Sequence, residues 1–132
     1  MAIPKLVKFQ LFQDVNGALC VYEGGQTVPF NIKRVFTVSA KAADIRGDHA
    51  HKQCTQLLVC VSGKIGVECD DGRAVERFDL CNMGEGLLIP PGVWAKQEYI
   101  ENGAILMVLC DRVYEAHDYL RDYDEFKKFV GN

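Results

Sequence analysis

Two of the chain's three histidines stand one residue apart in the stretch Arg46–Gln56, RGDHAHKQCTQ. On a β-strand, residues i and i+2 point to the same face, so His49 and His51 can address one small molecule together. Imidazole titrates at about pH 6.5, which lets one ring act as base and its neighbour as acid near neutrality. The same two rings could equally be half of a metal site, or core histidines with no chemical role. Arg46, three residues before His49, offers a planar guanidinium fork for a carbonyl oxygen or a phosphate; on spacing alone it could as well be a solvated loop charge. Lys52 continues the motif outward and could meet phosphate or only water.

The elements that must hold this pair are strands. Short runs rich in Val, Ile, Phe and Leu recur at intervals of about eight to twelve residues with turn residues between them, the pattern of an all-β sandwich or barrel. The candidate strands are KLVKFQLF, ALCVYEG, KRVFTVSA, the stretch around DHAH, QLLVCVSG, KIGVECD, AVERFDL, GLLIP, WAKQEYI and AILMVLC. Asn16-Gly17 and Asp71-Gly72 are hairpin turn signals, with Ser62-Gly63 and Met83-Gly84 weaker ones. A hairpin turn accounts for Asp70-Asp71 without any chemistry. Only the C-terminal segment EAHDYLRDYDEFKKFVGN reads as helix, from a loose three-to-four spacing of Tyr119, Leu120, Tyr123, Phe126, Lys127 and Val130. Such a helix would cover an open edge or end of the barrel, and His117 would open it as a surface residue.

Length and charge narrow the function classes. The 132 residues make one domain, 1–132, of the commonest size of about 100–150 residues. An apolar fraction of 48% is ample for one core, and fifteen Lys plus Arg against eighteen Asp plus Glu leave a net charge of -3. With no basic patch or RNA-binding run, nucleic acid is not an expected partner. No apolar stretch has signal-peptide length or approaches the ~20 residues of a membrane span, so no membrane partner is expected and the cytoplasm is the expected compartment. The six cysteines, Cys20, Cys54, Cys60, Cys69, Cys81 and Cys110, form no CxxC pair and several sit in alternating apolar runs. They read as small buried thiols in a reducing compartment.

The spacing after the histidines adds a family signal. Gln56 lies five residues after His51 and Gly63 seven after Gln56; later, Gly84 is followed by five residues and then Pro90-Pro91-Gly92. The arrangement resembles the two motifs of the cupin family, a Gly, HxH, Glu and later Gly, then a Gly, PxG, His and Asn. Of that family's metal ligands only His49 and His51 remain. Gln56 stands at the Glu position, Ala95 at the third His and Tyr99 at the Asn. A transition-metal site normally needs three or four protein ligands in fixed geometry, so the residues favour a metal-free acid/base or binding pair. If Ala95 takes the inward family position, alternation sends Gln97 and Tyr99 into the lumen and Trp94 and Lys96 outward. Gln56, Gln97 and Tyr99 are then candidates for the wall of a ligand pocket, and Trp94 reads as core or interface filler.

Beyond the cupin motifs, RGDHAHK, LLVCVSGKIGVECDDG, LLIPPGVW and DRVYEAHDYLRDYDEF occur together and in order. That set resembles the nucleotide-sugar 3,4-ketoisomerases, the WxcM-like cupins that act on dTDP-4-keto-6-deoxyglucose. The resemblance implies a cupin-type antiparallel β-barrel (jelly roll) with a short C-terminal helix, and a homodimer. It implies no metal and no cofactor, with the HxH pair as reaction centre. It also implies that a base removes the C-3 proton to give an enediol(ate), and that a proton returns at C-4 so the ketone moves to C-3. His51 is the expected base and His49 its acid partner, with Arg46 orienting the ketone or the diphosphate and Lys52 a further phosphate candidate. Several members carry a tyrosine in the RV(F/Y) strand, where this chain has Phe36-Thr37; Tyr99 or the Thr37 hydroxyl would have to replace it. The product would pass to a PLP-dependent aminotransferase, giving a 3-amino sugar for a surface glycan.

Other readings stay open at this level. A cupin nucleotide-sugar epimerase would pair its histidine with a carboxylate, and no acidic residue has an evident claim on the pocket. A non-catalytic sugar-nucleotide-binding cupin would tolerate loss of either histidine's proton chemistry. KLVKFQLF is an apolar strand suited to adding to a partner's sheet, because small barrels leave edges that need covering.

Overall fold

In the computed structural model, residues 3–131 are described. Twelve strands follow in chain order: β1 (Lys5–Lys8), β2 (Leu11–Asp14), β3 (Gly17–Cys20), β4 (Arg34–Ala40), β5 (Ile45–His51), β6 (Gln56–Ser62), β7 (Ile65–Asp70), β8 (Val75–Leu80), β9 (Glu85–Ile89), β10 (Trp94–Tyr99), β11 (Ala104–Cys110) and β12 (Tyr119–Leu120). A 3₁₀ turn, Ala116–Asp118, precedes β12, and α1 (Tyr123–Phe129) closes the chain. Two five-stranded sheets, β1-β9-β6-β11-β4 and β12-β5-β10-β7-β8, pack as a jelly roll, with β2-β3 as a separate hairpin. Every ladder between these strands is antiparallel.

Alternation puts the core between the sheets. Leu58, Cys60, Ile65, Val67, Leu80, Leu87, Leu106 and Tyr99 are buried there, each at an inward position of its strand. The outer face of the first sheet is also covered. Phe9, Val28, Leu57, Val59 and Leu109 form a second cluster under Tyr22, Phe30 and Ile32, from the long segment between β3 and β4.

The structure corrects three expectations. KLVKFQLF is not one strand: it breaks at Phe9-Gln10, so that β1 pairs with β9 while β2 turns away into the hairpin. The hairpin loop is Val15-Asn16, with Gly17 already in β3, because the Asp14 carboxylate accepts the N–H groups of Asn16 and Gly17 and closes the turn one residue early. The C-terminal helix is much shorter than its apolar spacing suggests. Tyr119 and Leu120 are extended and pair with His51 and Ala50 of β5, so their backbone groups are unavailable to a helix. His117 therefore lies in the exposed 3₁₀ turn rather than in a helix. The helix starts only after Asp122, whose side chain accepts from the N–H groups of Asp124 and Glu125 and so caps its first turn. Phe126 of α1 is fully buried against Trp94, Ala50 and Leu120.

Candidate active site

A cavity of about 260 Å³ opens at one end of the barrel. Its wall is assembled from Arg34, Phe36 and Val38 of β4, Arg46 and His49 of β5, Gln56 of β6, Gln97 of β10, Leu106 and Val108 of β11, then Tyr119 and Arg121. These positions come from five strands and the C-terminal segment, so only closure of the barrel brings them together. Arg34, Arg46 and Arg121 have no carboxylate partner within ion-pair distance among the described residues. Three guanidiniums without a carboxylate partner give this wall a local positive charge in a chain of net charge -3, which favours an anion.

Behind that wall lies a buried histidine–aspartate pair. His51 Nδ1 stands 3.1 Å from Asp118 Oδ2, and both residues are buried. Asp118 also accepts from the backbone N–H groups of Gln53 at 2.7 Å and Cys54 at 3.2 Å. The carboxylate is thus fixed on three sides and requires the proton of a neutral His51 to sit on Nδ1. The other ring nitrogen, Nε2, is buried with no hydrogen-bond partner, which leaves a bare lone pair. Burial lowers the His51 pKa, and the Asp118 contact opposes that shift without cancelling it. His49 is held at about 4, chiefly by burial and then by His51 beside it. Both rings are therefore neutral at pH 7.

The aromatic packing around the pair is close. The His49 and His51 ring centroids are 5.1 Å apart and nearly perpendicular. The Tyr119 ring lies 4.4 Å from His51 and 5.0 Å from His49. Its hydroxyl accepts from Arg34 Nη1 at 3.3 Å, and the Arg121 guanidinium sits over the Tyr119 ring at 4.4 Å from its centroid. Since Arg34 supplies a donor, the Tyr119 O–H proton is available to a ligand in the cavity. His49 Nδ1 faces the Gly47 carbonyl at 3.0 Å, which directs its proton there and its Nε2 lone pair elsewhere.

The donors at the cavity do not fit a transition-metal ion. Gln56 contributes a neutral amide that donates to Cys110 Sγ, and Ala95 contributes nothing. A second trio, His51, Cys54 and Asp118, has donor atoms within 4.8 Å of one another. There the Asp118 oxygens are engaged by His51 and two N–H groups, and the hydrogen bond with Cys110, together with burial, raises the Cys54 thiol and keeps it protonated. Metal binding favours thiolate, so this trio is built for hydrogen bonding.

The chain is similar to known proteins along nearly its whole length. A family profile described as FdtA, WxcM-like, C-terminal, matches residues 3–131. This chain belongs to the WxcM-like family. A relative from Aneurinibacillus thermoaerophilus, a TDP-4-oxo-6-deoxy-alpha-D-glucose-3,4-oxoisomerase, is 36% identical over 128 residues, covering 96% of this chain and 92% of the relative. The crystal structure of QdtA, a sugar 3,4-ketoisomerase from Thermoanaerobacterium thermosaccharolyticum in complex with TDP, superimposes with a TM-score of 0.93 at 31% identity, covering 96% of this chain and 93% of that one. WlaRB, a TDP-quinovose 3,4-ketoisomerase from Campylobacter jejuni, gives a TM-score of 0.89 at 34% identity, covering 95% and 97%.

Within this WxcM-like chain, the sequence candidates divide. Arg46, His49, Gln56 and Gln97 line the cavity, with His51 directly behind His49 and Tyr119. Tyr99 does not: it faces inward as alternation requires, but it is fully buried in the apolar core below, and its hydroxyl has no partner. Lys52 is exposed beyond the end of β5 and outside the cavity wall. Thr37 points away, because its neighbours Phe36 and Val38 take the inward positions of β4 and Thr37 is exposed. Neither the Tyr99 phenol nor the Thr37 hydroxyl lines the cavity. Trp94 is core filler under α1, and Lys96 pairs on the outside with Glu68 at 3.3 Å. From the sequence no acidic residue has an evident claim on the pocket; in the structure Asp118 has one, through its hydrogen bond to His51. Asp118, Tyr119 and Arg121 were concealed by reading their segment as helix, and Arg34 by its place at the start of an apolar strand.

Proposed function

We propose that the chain is a dTDP-sugar 3,4-ketoisomerase in which His51 carries the carbon-bound proton. The observation that carries this reading is the His51–Asp118 hydrogen bond, which leaves Nε2 as the only basic atom of a neutral, buried imidazole. Nε2 takes the C-3 proton of a 4-keto-6-deoxyhexose, and Asp118 stabilises the imidazolium that results. The electron pair of the C–H bond becomes the C-3/C-4 double bond, and the former ketone oxygen becomes the enediolate oxygen. Protonated His51 then returns a proton to C-4. For the ketone to appear at C-3, the O-3 proton must leave and one must arrive at O-4. His49 suits that transfer, because its Nε2 is a free acceptor and its low pKa keeps it neutral. This recasts His49 from a standing acid into a relay between the two oxygens. Tyr119 supplies a hydrogen-bond donor to the developing oxyanion, whose stabilisation is usually a large part of such a barrier. Arg34, Arg46 and Arg121 hold the diphosphate, in line with the TDP complex of the QdtA relative. Because Nε2 is sealed, the Tyr119 ring must shift as the sugar seats.

Incubation with dTDP-4-keto-6-deoxyglucose in D₂O, followed by NMR, tests the reading. A ketone at C-3 is expected, with deuterium at C-4 to the extent that the proton held on His51 exchanges with solvent before it is returned. An unaltered substrate would refute it. The His51–Asp118 pair would also serve an epimerase, and that alternative predicts an inverted carbon beside a ketone still at C-4.

We further propose a cytoplasmic homodimer. The β2-β3 hairpin presents Phe12, Val15 and Leu19 at 51%, 98% and 57% exposure, an apolar surface that a second chain would cover. Light scattering should give twice the chain mass. The 3-keto product is the kind of substrate a PLP-dependent aminotransferase converts to a 3-amino sugar.

A further inference from the structure

Arg46 and His49 both line the cavity, yet they are three residues apart on β5. Side chains of a regular strand alternate, so residues i and i+3 fall on opposite faces. The flanking residues show that the strand changes phase between them. Ile45 lines an outer groove with Lys96 and Glu98, and Ala50 is buried on the outer side against Trp94, Leu120 and Phe126.

The ladder with β10 locates the change. Gln97 opposes Arg46, Lys96 opposes Gly47 and Ala95 opposes His49, so Asp48 has no partner. This is a β-bulge, a device that re-aims the side chains beyond it. Gly47 and Asp48 have φ angles of 78° and 61°, in the left-handed region that glycine enters freely and aspartate tolerates. A Cβ at Gly47 would meet the Gln97 amide at 2.7 Å. The Asp48 carboxylate is turned to the outer face, where Oδ1 accepts from the Trp94 indole N–H at 2.8 Å. Trp94 is fixed in turn by Tyr123 at 5.3 Å and Phe126 at 5.6 Å, both on α1.

We propose that the Asp48–Trp94 hydrogen bond clamps this bulge, so that the outer face of the sheet, braced by α1, sets the register of Arg46 and His49 at the reaction centre. Asp48 and Trp94 are positioning residues, since neither lines the cavity. The kinetic part of this inference rests on the ketoisomerase reading; the geometric part does not.

Three variants test it. Trp94→Phe keeps a ring against α1 and removes the indole N–H. Asp48→Gly accepts the φ angle and removes the acceptor, whereas Asp48→Asn keeps an acceptor oxygen and tolerates the same φ. Trp94→Phe and Asp48→Gly should each lower kcat about tenfold or more with KM much less affected, as expected when transition-state geometry is lost. The double variant should be no worse than either single one, and Asp48→Asn should recover most of the rate. In folded Trp94→Phe, the His49 NMR titration midpoint should rise from about 4 toward its ordinary value as the ring loosens. Unchanged His49 titration in that variant, or equal losses in the Asn and Gly variants, would overturn the clamp. If the wild-type chain shows no ketoisomerase activity, the titration alone still decides the geometry. Should Trp94→Phe fail to fold, Asp48→Gly on the exposed bulge takes its place in the titration, and an unmoved midpoint there overturns the clamp equally.

Discussion

The two ends of the barrel are made from the same strands by the same alternation, and they do opposite things. β6 sends Gln56 into the cavity and, two and four residues on, Leu58 and Cys60 into the dry core. β10 sends Gln97 to the cavity and Tyr99 to the core. At the open end, the polar side chains of Gln56 and Gln97 face a ligand-sized space. At the closed end the buried cluster is otherwise apolar, and the Tyr99 hydroxyl goes without a hydrogen-bond partner. A strand pattern therefore tells which way a side chain points and is silent about how deep it lies. That one variable separates a binding residue from a packing residue.

The largest expected effect is at the open end. His51→Asn should lower kcat by at least ~10²-fold, the low end for a lost acid/base group, with Tm nearly unchanged. Asp118→Asn should lose a comparable factor because it can donate to Nδ1 and favour the wrong tautomer. Steady-state kinetics on both checks this, and near-normal turnover in either would remove that residue from the mechanism.

At the closed end the sign of the contrast reverses. Leu58→Ala, at a position 1% exposed, should cost about 2–5 kcal/mol of stability while KM for the sugar nucleotide hardly moves. Denaturant unfolding with parallel kinetics measures both. A large KM effect would mean that the core and the cavity are not separable.

Acid pH should weaken both ends through the histidines. Their folded pKa values lie below the ordinary 6.5, so the unfolded chain binds more protons between pH 6.5 and the folded values, and stability falls as pH drops through that window. For His49 the window reaches down to about 4, which is worth at most about 3 kcal/mol before solvent screening. The acid limb of kcat/KM should sit below pH 6.5 because His51 is also lowered. Urea midpoints and rates from pH 4 to pH 8 would show it, and a stability maximum on the acid side would contradict it.

The smallest effects sharpen the depth argument. Tyr99→Phe removes a hydroxyl without a partner, so stability should stay level or rise by up to about 1 kcal/mol, with unchanged kinetics. Lys52→Ala, outside the cavity wall, should alter KM by less than about twofold. A tenfold change in KM for either variant would return that residue to the substrate site.

The strand assignments were legible because a period of two and the turn residues are local properties of the chain. The HxH pair, the missing metal ligands at Gln56 and Ala95, and the family motifs were legible for the same reason: each depends on near neighbours in sequence. The helix was overread because Tyr119 and Leu120 repeat at a helical interval while their backbone groups pair with β5. That misreading also hid Asp118, the residue that decides which nitrogen of His51 is basic.

The sequence by itself determined that this is a β-rich cupin whose two adjacent histidines share a face and lack the partners for a metal. The tertiary structure decided that Asp118, 67 residues from His51, fixes its tautomer. It also decided that Arg34, Arg46 and Arg121 converge on one wall, and that a bulge at Asp48 turns Arg46 and His49 to the same side. The physical reason is that alternation and turn propensity are set by each residue's own backbone, whereas ring orientation, depth and phase are set only when distant strands close against one another.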